Sequence, residues 1–182
     1  MVHSHPAITR EPYSDQMLRA TGLRWSGTAA RLVVGGVWLW AGLLKLPDPS
    51  SSVTAVRAYQ LLPTSSVDVV GRALPMVEVV VGLCLVLGLL TPVSGALSAL
   101  LQVAFIIGIA SVWARGISIN CGCFGNGGYD PDAASKYPWE IARDVGLLAL
   151  SLYVVWLRRT SLALDNVLFP EVNERSDVEA AA

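Results

Sequence analysis

The sequence predicts an all-α membrane fold: a four-helix transmembrane bundle with a short interfacial helix between spans one and two. Three observations lead there. Of 182 residues, 53% are hydrophobic and only 15% are charged, against about 25% charged in an ordinary soluble domain. Four apolar stretches reach or approach the roughly 20 residues that a helix needs to cross a hydrocarbon core. Proline and polar clusters fall mostly between those stretches. The formal net charge of −1 gives nucleic acid no electrostatic footing.

Residues 1–25 read as a polar, solvated cytoplasmic tail bearing His3, His5, Arg10, Arg19 and Arg24. The stretch has no short apolar core with a small-residue cleavage site, so the first apolar segment is expected to act as an uncleaved anchor. The membrane domain is expected over 26–157. Span one covers 26–46, with Arg31 and Lys45 snorkelling outward at its ends. Gly35, Gly36 and Gly42 let a neighbouring helix come close.

Pro47 and Pro49 end that span. Ser51 or Ser52 is expected to cap a short amphipathic helix over 53–62 at the membrane surface, stopped by Pro63. Span two covers 73–90 and contains Glu78 near its start. A carboxylate inside a span is expensive and marks a functional candidate. Cys84, further along, reads as a small buried hydrophobe. Span three covers 92–114, small-residue rich at first, with Gln102 as a lone polar group. The loop 116–137 shows no strong pattern, and a loop that long is functional or disordered. Span four covers 139–157. Glu140, Arg143 and Asp144 occupy its first turns, the latter two below the surface. Arg158 and Arg159 close it, and the acidic end with Glu171, Glu174, Asp177 and Glu179 reads as a disordered cytoplasmic tail over 158–182.

The least ordinary run is Asn120-Cys121-Gly122-Cys123-Phe124-Gly125. A disulfide between Cys121 and Cys123 closes a small ring and needs a sharp backbone bend, which Gly122 permits. Strained disulfides exchange readily, so the pair reads as a redox-active dithiol. The alternative is a static loop staple. No third cysteine or histidine lies near enough in sequence to complete a tetrahedral metal site.

Four spans put both termini on one side, and the flanking arginines favour the inside. The cysteine loop then faces the oxidising compartment, where disulfides persist. Lys45, Glu78, Arg143 and Asp144 gather at the same membrane face as the thiols, as supporting charges and proton carriers. The opposite face is expected to hold no comparable set.

The residues resemble the methylamine utilisation protein MauE family, membrane proteins related to the DoxX group. The likeness runs from about Arg31 to Val155. It is carried by Ala41-Gly42-Leu43-Leu44-Lys45-Leu46 with Asp48-Pro49, by Ala58-Tyr59-Gln60-Leu61-Leu62-Pro63, and by Pro75 to Glu78. Arg115-Gly116, the cysteine run and Arg143-Asp144 complete it. The resemblance implies a four-span protein of the bacterial cytoplasmic membrane. It implies a link to amine metabolism and to maturation of the disulfide-rich small subunit of methylamine dehydrogenase, beside a thioredoxin-like partner. The layout is also similar to disulfide-forming enzymes that use quinone, which would make quinone the cofactor. Two departures stand out. Asn120 occupies a position where the family commonly has Asp. The Cys-x-x-Cys and second loop pair of the quinone-linked enzymes are missing.

Three functions follow. The first is thiol-disulfide exchange with a thioredoxin-like protein or an exported disulfide-bearing substrate. The second is a membrane scaffold or assembly factor with the cysteines as a staple. The third is a small transporter using Glu78 and Asp144 as a proton pair.

Overall fold

A computed structural model of the chain describes residues 13–125, 127–157 and 162–168. In order these form α1 (Tyr13–Lys45), α2 (Pro49–Ala58), α3 (Thr64–Leu87), α4 (Thr91–Ala114), β1 (Ile119–Cys121), β2 (Gly127–Tyr129), α5 (Ala133–Leu157) and α6 (Asp165–Leu168). The stretch 1–12, Arg158-Arg159 and the acidic residues 171–179 lie outside the described residues.

Helix α1 begins at Tyr13 rather than Ser26, so the second half of the expected tail is helical. Residues 13–21 include no proline or glycine, and adding turns to a helix that is already nucleated costs little. Among the described residues, three helices are long and apolar enough to cross a membrane: Thr21–Lys45 within α1, α3 and α4. Helix α5 is of similar length but is not in that class. Its first half carries Lys136, Glu140, Arg143 and Asp144.

Helix α1 packs on α3 and α5, and α4 packs on α5. A Cβ at Gly82 would stand 2.8 Å from Leu39 N and 2.9 Å from Gly35 O. The α1–α3 seam is therefore backbone against backbone, as expected where lipid gives helices no hydrophobic reason to associate. Gly36 has open space beside it and plays no part in the seam. Deeper in, Trp38 Nε1 donates to Ser98 Oγ (2.7 Å), which lies 2.9 Å from Ser151 Oγ. Ser151 in turn donates to Leu147 O (2.9 Å). This chain ties α1, α4 and α5 around Val34, Trp38, Val81, Leu85, Leu147 and Val154.

Two expectations about the short helix fail together. It spans Pro49–Ala58, not 53–62, and its cap is Asp48, whose Oδ1 accepts from Ser50 N at 3.1 Å. Proline is well suited to the first turn of a helix, where its missing N–H goes unneeded. Pro49 therefore starts α2 instead of delaying it. Likewise α3 starts at Thr64, well before the expected Ala73, so Glu78 sits past its midpoint. The early turns of α3 pack against α2.

The far end of the bundle is not bare, contrary to expectation. Arg31 does not snorkel: it is 1% exposed and donates to Leu162 O (2.9 Å). Asp165 accepts from Leu90 N (2.6 Å) and Thr91 N (2.7 Å), capping α4 from a distant part of the chain. Leu164 N and Asp165 N reach Leu87 O and Gly88 O.

Candidate dithiol site

The cysteines sit on a hairpin, not a patternless loop. Strands β1 and β2 pair antiparallel, with Ile119 opposite Tyr129 and Cys121 opposite Gly127. Two signals for it are present in the sequence: the alternating Ile117 and Ile119, and the turn-forming Gly125, Gly127 and Gly128. Gly122 lies in the left-handed region at φ +69°, so the bend between the cysteines needs glycine. Asn120 Oδ1 accepts from Gly122 N (3.1 Å) and fixes that bend.

Both cysteines are free thiols, and both are buried. Cys123 N–H donates to Cys121 Sγ at 3.3 Å, and Cys123 Sγ faces Cys121 O at 4.0 Å. Helix α2 covers them. A Cβ at Gly122 would stand 2.7 Å from Ala55 Cβ, and one at Gly127 would overlap the same residue. Tyr59, at the end of α2, donates from its hydroxyl to Cys121 O (2.8 Å). Tyr137, on α5, is 2% exposed and accepts from Ile119 N at 3.0 Å, pinning β1 from below.

The expected supporting charges converge, but not all as expected. Lys45 turns inward instead of snorkelling. Its Nζ donates to both oxygens of Glu78, at 2.6 and 2.9 Å, and both side chains are buried. A carboxylate held this deep without a partner would carry a desolvation cost of several kcal/mol, which Lys45 offsets in part. Arg143 Nε donates to Asp144 Oδ1 (2.8 Å), and its guanidinium lies 5.1 Å from the Phe124 ring centre. Arg115 donates to Tyr59 O and Ser111 O. Arg143 is left as the cation acting on both sulfurs.

Glu140 is a further candidate beside the thiols that the sequence reading underrated. Its carboxylate reaches the Cys121 thiol, and its Oε2 is buried. Helical spacing already put it one turn from Asp144. Its nearness to the sulfurs depended on the hairpin, which was not foreseen. Cys84 lies on α3, outside the cluster around the two thiols.

The two sulfurs are inequivalent. The hydrogen bond from the Cys123 thiol draws the Cys121 thiol below the ordinary range, against the opposing effect of burial. That same contact, with burial, pushes Cys123 well above it. They also line different cavities. Cys123 opens on one of about 20 Å³, walled by Trp38, Glu78, Gln102, Arg143 and Asp144. Cys121 opens on one of about 30 Å³, with Lys45, Ser52, Tyr59 and Phe105. Each has the volume of about one water molecule. Neither fits a quinone ring.

An apolar helical scaffold with three helices long enough to cross a bilayer, and a covered dithiol near one buried and one partly buried ion pair, defines an integral membrane protein. The chain belongs to the MauE family: the family model described as methylamine utilisation protein MauE matches residues 23–157. It is 31% identical over 128 residues to the methylamine utilization protein MauE of Paracoccus denitrificans. That match covers 69% of this chain and 66% of the relative, just under two thirds of its length. No solved structure matches the chain.

Proposed function

We propose that this MauE-family protein supports thiol-disulfide exchange in the maturation of exported proteins, with Cys121 and Cys123 as the exchanging pair. In this reading α5 completes a four-span bundle, α2 lies at the interface, and the hairpin faces outward with the termini inside. The observation that carries it is the contact between two inequivalent thiols beside Arg143. A thiolate favoured at one sulfur and a protonated partner at the other is the division that attack and resolution require. The partner is a thioredoxin-like protein or a disulfide-bearing exported substrate. The family's link to methylamine utilisation makes the disulfide-rich subunit of an amine dehydrogenase one such substrate.

The burial of both thiols under α2 favours a second reading, a scaffold whose cysteines only fasten the hairpin. Trapping separates the two. Cys123→Ser, which removes the resolving thiol, should accumulate a mixed disulfide between Cys121 and a partner in intact cells, visible on a non-reducing gel. Cys121→Ser should accumulate none. A Cys121→Ser/Cys123→Ser double variant with normal abundance and full function would favour the scaffold.

A further inference from the structure

Resolution of a mixed disulfide at Cys121 requires the Cys123 proton to leave a buried place. Three carboxylates stand near. Glu78 has both oxygens taken by Lys45, at 2.6 and 2.9 Å. Glu140 lies against Cys121 rather than Cys123. Asp144 is 3% exposed; its Oδ1 is held by Arg143, while its Oδ2 is fully buried with no hydrogen-bond partner. Asp144 and Cys123 line the same cavity of about 20 Å³, and that cavity has room for one water.

A lone buried carboxylate oxygen is costly to leave unsatisfied. A water that satisfies it also joins it to the thiol across the cavity. Gln102 offers that water a further polar contact from α4.

We infer that Asp144 is the proton acceptor for Cys123, through a water held in the cavity lined by Trp38, Glu78, Gln102 and Asp144. This rests on the exchange function proposed above. Cys121 thiolate attacks a partner disulfide, forming the mixed disulfide and releasing one partner thiolate. Cys123 S–H then passes its proton by way of the water to Asp144 Oδ2. The Cys123 thiolate attacks Cys121 Sγ; the Cys121–Cys123 bond forms, and the second partner sulfur leaves as thiolate. The partner disulfide gains two electrons, the cysteine pair loses two, and both released thiolates take protons from solvent. In the reverse direction the same oxygen returns the proton to Cys123.

Arg143 adjoins Asp144 on α5, and Glu140 is one turn away. Cys121 and Cys123 approach from the hairpin, and Glu78, paired with Lys45 of α1, lines the cavity from α3. Arg143 keeps Oδ1 anchored and leaves Oδ2 to accept.

The test uses the full chain in detergent micelles, with Cys84→Ala to silence the third thiol, and 5,5′-dithiobis(2-nitrobenzoate) as the disulfide. Attack by Cys121 releases one coloured thiolate; resolution by Cys123 releases a second. Asp144→Asn should leave the first release unchanged and slow the second by about a hundredfold near neutral pH, the ordinary contribution of a positioned base. The slowed rate should climb about tenfold per pH unit, as the free thiolate fraction does below the thiol pKa. Asp144→Glu should restore part of the rate. An unchanged second release in Asp144→Asn overturns the proton assignment and leaves the exchange function standing. Absence of any first release overturns both. Redox-difference infrared spectroscopy on the Asp144-containing parent covers the case where Asp144→Asn does not fold. A protonated carboxyl band should appear on oxidation, and its absence contradicts the assignment.

Discussion

At the scale of the residue, the two cysteines should titrate apart. A lowered pKa means that the thiolate persists to lower pH, and a raised one that it forms only at higher pH. Site-resolved alkylation of the Cys84→Ala protein should therefore find Cys121 reacting from below the ordinary thiol range and Cys123 only above it. Equal profiles would remove the division of labour. The Lys45–Glu78 pair carries a second expectation. Removing one partner strands the other charge in the bundle, at about 3–5 kcal/mol; removing both with apolar residues costs far less. Glu78→Leu and Lys45→Met should each lower the unfolding midpoint strongly in detergent, and the double variant should recover most of the loss. Which residues to single out was legible from the sequence, because charges and thiols are rare in an apolar chain. Where they point was not. Lys45 and Arg31 at the ends of an apolar run read as snorkelling side chains, since either direction fits the spacing; the inward choice depends on Glu78 and Leu162, which lie far along the chain.

At the scale of the element, α2 decides access to the sulfurs. Ala55 fits against Gly122 and Gly127 with no room for a larger side chain. Ala55→Leu should lift α2 from the hairpin at an overpacking cost of about 1–3 kcal/mol. Cys121 labelling should rise about tenfold, equivalent to about 1.4 kcal/mol. Unchanged labelling would mean that the thiol is reached from elsewhere. At the other end, Asp165→Ala should cost about 0.5–2 kcal/mol, the ordinary loss of a helix cap, measured as a shift in thermal unfolding. Helix positions were readable from apolar length and proline punctuation, but their starts were not. Asp48-Pro49 reads equally as a break and as a cap with its first residue. The hairpin strands are three residues each, so the alternation of Ile117 and Ile119 and the glycines after them are a signal too short to separate from loop.

At the scale of the whole molecule, the sequence conveyed a helical membrane protein with its polar groups drawn together around a Cys-Gly-Cys run. The packing adds what periodicity has no means of expressing: glycine contacts that draw α1 onto α3, a hydroxyl chain through the middle, and a C-terminal segment that holds the α3–α4 turn. The account stands on Cys121 and Cys123 changing redox state with a partner across the membrane surface. Differential alkylation of those two residues in native membranes, before and after reductant and with a membrane-impermeant reagent, tests this most directly. A mixed population of thiol and disulfide is expected, shifting fully to thiol with reductant and then labelled from outside the cell. Two sulfurs locked in one state whatever the reductant, or labelled only from the cytoplasmic side, would contradict it.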